Sequence, residues 1–119
     1  MSWKLVLLIT PRTEHAHTIG EAWQQAGASG VTYFESHGLY RLQQARHGLE
    51  VPPGMLSLFE ILRGQDQHNI TILSVVAGEQ VEPLVKATES IIGALTEPNN
   101  GILFSMDVEH VFGLRSTGN

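Results

Sequence analysis

The sequence predicts an α+β fold in which two helices cover one face of a four-stranded antiparallel sheet, in the order β-α-β-β-α-β. Short apolar runs that alternate with turn residues have the length and composition of strands. Two other segments carry apolar residues at the three- and four-residue spacing of amphipathic helices. We expect residues 1–119 to form a single domain, because a chain of 119 residues can bury one core.

The first half of the chain is predicted to form a strand, a helix and a second strand. Residues 3–10 are apolar at both parities, so both faces of this strand require burial, and Pro11 and Arg12 end it. We expect Thr13 to cap the helix that follows and Gly27 to terminate it. The β-branched and aromatic residues at 30–36 predict the second strand.

The second half begins with a long insertion at residues 37–68, and insertions of this length inside a compact domain are mostly functional or disordered. A third strand is predicted over residues 70–76, again apolar at both parities. A helix over residues 79–95 follows, with a proline in its first turn, where a missing N–H costs little. Residues 102–106 are predicted to be the fourth strand.

The predicted arrangement leaves one apolar face of the sheet uncovered. Two helices cover a single face of a four-stranded sheet in this ferredoxin-like arrangement, yet three of the predicted strands are apolar on both faces. Soluble monomers avoid large exposed apolar patches. The simplest way to remove this apolar face from water is to bury it against other copies of the chain, so the sequence predicts a homo-oligomer.

Composition argues against several classes of function. The net charge is −5 with only seven Lys and Arg, so nucleic acid is not an expected partner. Cysteine is absent and the first apolar run is too short to span a bilayer, which favours a cytoplasmic protein. The sequence contains no nucleophile-elbow motif, no paired carboxylates on one helix face and no Walker A motif. We therefore do not expect an enzyme.

The six histidines do not predict a metal site. His15 and His17 are two residues apart and would point to different faces of a helix. The other four histidines are isolated in the sequence, and no HExxH motif is present. We interpret all six as solvated polar side chains.

Two stretches of the sequence resemble the PII signalling family. The segment Gly30-Val31-Thr32, followed by a turn at Gly38 and Arg41, is similar to the family's second strand and the root of its long T-loop. The run from Gly101 to Val111 resembles the family's Gly-Lys-Ile-Phe-Val-Leu-Pro-Val-Glu-Glu-Val, and Leu114-Arg115 resembles the Ile-Arg of its C-loop. The resemblance covers most of the chain.

This resemblance implies a homotrimer that binds a small effector, such as a nucleotide, in the clefts between subunits. Residues 37–68 would correspond to the T-loop, which in this family docks on a partner such as a membrane transporter or a metabolic enzyme. The implied ligand-binding residues are Thr32, Gly38, Leu39, Arg41, Gly101 and Arg115.

The sequence departs from the family where a triphosphate would bind. The turn at residues 96–101 has a single glycine, and Pro98 lacks an N–H that could contact phosphate. Ile102 replaces the family's lysine, and Leu42 replaces the glutamine that helps bind Mg-ATP and 2-oxoglutarate. We therefore expect AMP, ADP, a cyclic nucleotide or another small anion rather than Mg-ATP with 2-oxoglutarate.

Two alternatives remain open at this point. The first is a trimer that resembles the ferredoxin-like CutA proteins and binds a divalent metal. The second is a structural trimer whose clefts have lost their ligand.

Overall fold

The computed structural model describes residues 2–37 and 68–114. These residues form, in chain order, β1 (Trp3–Thr10), α1 (Ala16–Gln25), β2 (Thr32–His37), β3 (His68–Ala77), α2 (Val81–Ile92) and β4 (Ile102–Val108). The strands make one antiparallel sheet in the order β2-β3-β1-β4. The predicted α+β ferredoxin-like fold is confirmed. None of the described helices is long and apolar enough to cross a membrane.

The helix termini differ from the sequence prediction at two points. Thr13 does not cap a helix with its side chain; it opens a 3-10 helix, Thr13–His15, that leads into α1. Gly27 follows α1 with a φ of 118°, as expected of a C-terminal glycine. The second helix ends at Ile92 rather than at residue 95, because Gly93 leaves the helical region with a φ of 91°.

The core lies between the two helices and one face of the sheet. Helix α1 contributes Ile19 and Trp23, and α2 contributes Leu84, all fully buried. The sheet contributes alternate residues of β1 and β3, among them Leu8 and Ile72, which pair across the two central strands. Each of these side chains stabilises the fold by about 1.5–3 kcal/mol relative to leaving it exposed.

A buried hydrogen bond joins the two helices inside this core. The indole Nε1 of Trp23 donates to Thr88 Oγ1 at 2.9 Å, and that hydroxyl donates in turn to the backbone oxygen of Leu84 at 2.8 Å. Trp23 and Thr88 are completely buried. A single hydroxyl therefore satisfies the only polar atom of the tryptophan side chain while keeping its own donor satisfied.

The register of the sheet separates its two faces. Val6, Leu8 and Thr10 of β1 are fully buried beneath the helices, whereas the residues between them are only partly buried. We call the second face the open face. It consists of Leu5, Leu7 and Ile9 of β1, Phe34 of β2, Leu73 and Val75 of β3, and Ile102, Phe104 and Met106 of β4.

The open face is apolar and accessible to solvent. Phe34 is 49% exposed and Ile102 is 57% exposed, and both described helices lie on the opposite face. A patch that extends across all four strands of the sheet is larger than the scattered apolar residues of an ordinary surface. The apolar face that the sequence predicted to be uncovered is therefore present.

Replacement of Thr88 by valine tests the contribution of the buried hydrogen bond. Thr88→Val preserves the shape of the side chain but leaves the Trp23 N–H without its acceptor, which costs about 1–3 kcal/mol in the free energy of unfolding. Thr88→Ser keeps the hydroxyl and serves as the matched control. Urea denaturation should rank the proteins as wild type, Thr88→Ser, then Thr88→Val. Equal stability of the two variants would show that the hydroxyl is dispensable.

Candidate functional site

Polar groups and the ends of all four strands lie together at one end of the sheet. β1 ends there at Thr10 and β2 at His37, and β3 and β4 begin there at His68 and Ile102. We call this the loop end, because the chain leaves the sheet at His37 and returns to it at His68. The loop end is where we place the candidate site.

A network of hydrogen bonds at the loop end joins the end of β1 to the turn before β4. Thr10 Oγ1, fully buried, donates to the Asn100 backbone oxygen at 2.9 Å and accepts from the Arg12 backbone N–H at 3.0 Å. The Asn100 side chain is also buried, and its Nδ2 donates to the Ala94 backbone oxygen at 2.8 Å. These bonds join the turn at residues 93–101 to the end of β1.

Arg12 places a cation beside this turn. Its Nη1 donates to Asn100 Oδ1 at 3.2 Å and its Nε donates to Glu14 Oε1 at 3.0 Å. The bond from Arg12 is the main reason that the pKa of the Glu14 carboxyl lies below its usual value. A guanidinium has five N–H groups, so donors remain for an anion. The local sequence indicates only that Arg12 ends a strand, because its neighbours across the fold are far away in the chain.

Gly101 stands at the loop end for a structural reason. Its φ is 109°, and a Cβ atom at this position would lie 2.3 Å from the Ile9 backbone oxygen and 2.8 Å from the Thr10 Cα. Only glycine fits such a close approach of the turn to β1. The position matches the glycine that the family resemblance implied, and the packing alone is sufficient to require it.

The two predicted ligand-binding residues that the structure describes, Thr32 and Gly101, are not brought together within one chain. Thr32 begins β2 and pairs with Leu73 on the open face, whereas Gly101 precedes β4. β2 and β4 are opposite edges of the sheet, and three interstrand spacings separate them by about 14 Å. The other predicted residues, Gly38, Leu39, Arg41 and Arg115, lie outside the described residues.

Two histidines that are distant in sequence meet at the loop end. His37 and His68 form the last pair of the β2–β3 ladder, and their ring centres are 4.8 Å apart. The two residues are isolated in the sequence and both are exposed, as expected of solvated histidines, but strand register makes them neighbours. His15 and His17, which were weighed as a pair, lie beside different carboxylates, Glu14 and Glu21.

A cleft outside the loop end is small. It has a volume of about 140 Å³ and is lined by His17, Gly20, Glu21, Gln24, Val31 and Tyr33, at the junction of α1 and β2. Pockets for drug-sized ligands usually measure about 300–1,000 Å³. This cleft by itself is therefore too small for a nucleotide.

The described fold is similar to the folds of PII and PII-like proteins. No family model matches the sequence, and no curated protein matches it. Among solved structures, GlnK from Bacillus subtilis aligns with a TM-score of 0.59 at 15% identity, over 92% of this chain and 87% of that chain. PII from Arabidopsis thaliana bound to citrate aligns with a TM-score of 0.58 at 18% identity, over 90% of this chain and 78% of that chain.

A third structure carries small ligands of the expected kind. CPII, a nitrogen regulatory PII-like protein from Thiomonas intermedia K12, was solved with ADP, AMP and bicarbonate bound. It aligns with a TM-score of 0.51 at 19% identity, over 91% of this chain and 89% of that chain. At these identities the similarity shows a shared fold, which confirms the PII resemblance at the level of the fold.

Substitution of Gly101 tests whether the close approach of the turn to β1 determines the residue at this position. Gly101→Ala forces a side chain into a left-handed conformation and against the end of β1, so the free energy of unfolding should fall by about 2–4 kcal/mol. Gly30→Ala is the matched control, because no heavy atom lies within 4 Å of an added Cβ there. Chemical denaturation measures both. A Gly101→Ala protein as stable as Gly30→Ala would contradict the described geometry.

Proposed function

We propose that this protein is a non-enzymatic, PII-like regulatory protein of the cytoplasm. In this proposal it forms a homotrimer and binds a small anionic effector, AMP, ADP or a cyclic nucleotide, in the clefts between subunits. Residues 37–68 then transmit the bound state to a partner protein, such as a transporter or a metabolic enzyme. The observation that carries the proposal is the open apolar face on a fold shared with PII proteins.

The open face supports self-association. Leu7 and Leu73 are paired at its centre, and exposed large side chains such as Phe104 and Met106 extend it along the β4 edge. Burial of apolar surface stabilises an interface by roughly 25 cal/mol per Å² removed from water. The face lies directly opposite the core, so a partner packed on it would complete a second apolar layer. The trimeric state itself is proposed from the resemblance to PII proteins.

The positions of the predicted residues support a site between subunits. Thr32 lies at one edge of the sheet and Gly101 near the other, so these two described contacts, one from each half of the proposed site, are separated within one chain. A neighbouring copy that presents its β4 edge beside β2 would bring the two halves together. Oligomer and effector site then depend on each other. The nucleotides bound in the structures of CPII and of B. subtilis GlnK support the choice of a nucleotide as effector.

The charges at the loop end favour a small anion. Arg12 is bonded to Asn100 and forms an ion pair with the exposed Glu14. Because this ion pair is exposed, breaking it so that Arg12 can bind an anion costs at most about 1 kcal/mol. A hydrogen bond from a guanidinium to a phosphate contributes about 1.5–3 kcal/mol and can replace that pair. We propose that Arg12 acts together with Arg41 and Arg115. Three guanidinium groups suit a mono- or diphosphate better than a triphosphate, because the turn at 96–101 supplies little else.

A charge placed on the open face tests self-association. Leu73 is half-buried at the centre of this face, and Leu73→Asp would bury an unpaired carboxylate in any interface formed there. Sedimentation at micromolar concentration should show a trimer for the wild type and a monomer for Leu73→Asp. Thr18→Asp, on the exposed side of α1, adds the same charge and should leave the trimer intact. A monomeric wild type would remove the basis of the proposal.

Calorimetry with ATP, ADP, AMP and cyclic AMP, each with and without 2-oxoglutarate, tests the effector class. We expect the mono- and diphosphates or the cyclic form to bind more tightly than Mg-ATP, and 2-oxoglutarate to have no effect. Arg115→Ala should weaken binding of the preferred nucleotide at least tenfold, roughly 1.4 kcal/mol. Lys86→Ala, an exposed cation of α2, is the control and should not change the affinity. Submicromolar ATP binding that tightens with 2-oxoglutarate would refute this expectation.

A further inference from the structure

We propose that His37 and His68 form a binding site for a divalent transition-metal ion at the loop end. The two histidines face each other from β2 and β3, and both are exposed. The inference goes beyond the proposed effector site and does not depend on nucleotide binding, since it uses other residues and another chemistry.

The distance between the rings suits simultaneous coordination by both imidazoles. The ring centres are 4.8 Å apart and the ring planes are tilted by 58°. A metal bound to one nitrogen of each ring at the usual distance of about 2.0–2.1 Å would place the ring centres roughly 4.5–5.5 Å apart, depending on the angle at the metal. The observed separation lies within this interval.

The strand pairing provides the preorganisation that a two-histidine site needs. His37 and His68 are directly opposite each other as the terminal pair of six registered positions between β2 and β3. The neighbouring pair, Ser36 with Asn69, belongs to the same ladder, and Thr71 Oγ1 donates to Ser36 Oγ at 3.0 Å. Both imidazoles are thus attached to backbone that is already held in place, and less entropy is lost when the metal binds.

The chemistry of the donors selects the class of metal. Imidazole nitrogen suits Cu²⁺, Ni²⁺ and Zn²⁺, whereas Mg²⁺ and Ca²⁺ prefer oxygen ligands. The described residues contain no cluster of three or more His, Cys, Asp or Glu side chains that could hold a metal. The proposed site therefore has two protein ligands among the described residues, and water or a small anion fills the remaining positions.

Titration of the tag-free protein with NiCl₂ in a calorimeter tests the proposal. The wild type should bind Ni²⁺ with micromolar affinity at this site, and MgCl₂ should give no binding. His37→Gln and His68→Gln should each weaken Ni²⁺ binding at least tenfold, because each removes one of the two ligands. His17→Gln is the matched control, since His17 is an exposed histidine paired with Glu21, and it should leave the affinity within about twofold.

A second measurement on the wild type avoids any effect of substitution on folding. During titration with diamagnetic ZnCl₂, the imidazole NMR signals of His37 and His68 should shift together and saturate at the same metal concentration, while that of His17 stays in place. Independent shifts of the two rings, or Ni²⁺ affinity unchanged in either variant, would overturn the proposal. Equal loss of affinity in His17→Gln would show unspecific binding to surface histidines and would overturn it as well.

Discussion

The rest of the structure depends on one constraint, which is that the two described helices cover only one of two apolar sheet faces. Leu8 points toward the core and Leu7 away from it, because neighbouring residues of a strand point to opposite faces. The core beneath the helices is complete, and the buried N–H of Trp23 has an acceptor in the Thr88 hydroxyl. The open face is covered by neither described helix, and this imbalance is the basis of the proposed self-association.

At the loop end, residues that the fold requires lie beside the residues of the proposed effector site. Gly101 is required by its close approach to Ile9, and the Asn100 side chain bonds both Arg12 and the Ala94 backbone oxygen. A glycine at a position that other proteins use for phosphate is therefore not evidence of phosphate binding by itself. The turn nevertheless bonds the Arg12 guanidinium through Asn100 Oδ1 at 3.2 Å, which places a cation at the loop end.

The two proposed sites share the loop end but differ in chemistry. The effector site relies on guanidinium groups and on a second subunit, whereas the metal site relies on two imidazoles paired within one sheet. A bound divalent cation would add positive charge to the end of the sheet where the anion is proposed to bind.

The sequence by itself determined the order of the elements, the bounds of β1 and the glycine that ends α1, since periodicity and turn residues are local properties. It also showed that the strands are apolar at both parities, and hence that a face would remain open. Only the tertiary structure decided that Leu73 lies on that face, that Arg12 meets Asn100 and that His37 meets His68. These neighbours are set by strand register and chain reversal, and contacts between residues far apart in sequence leave no trace in the local pattern of either segment.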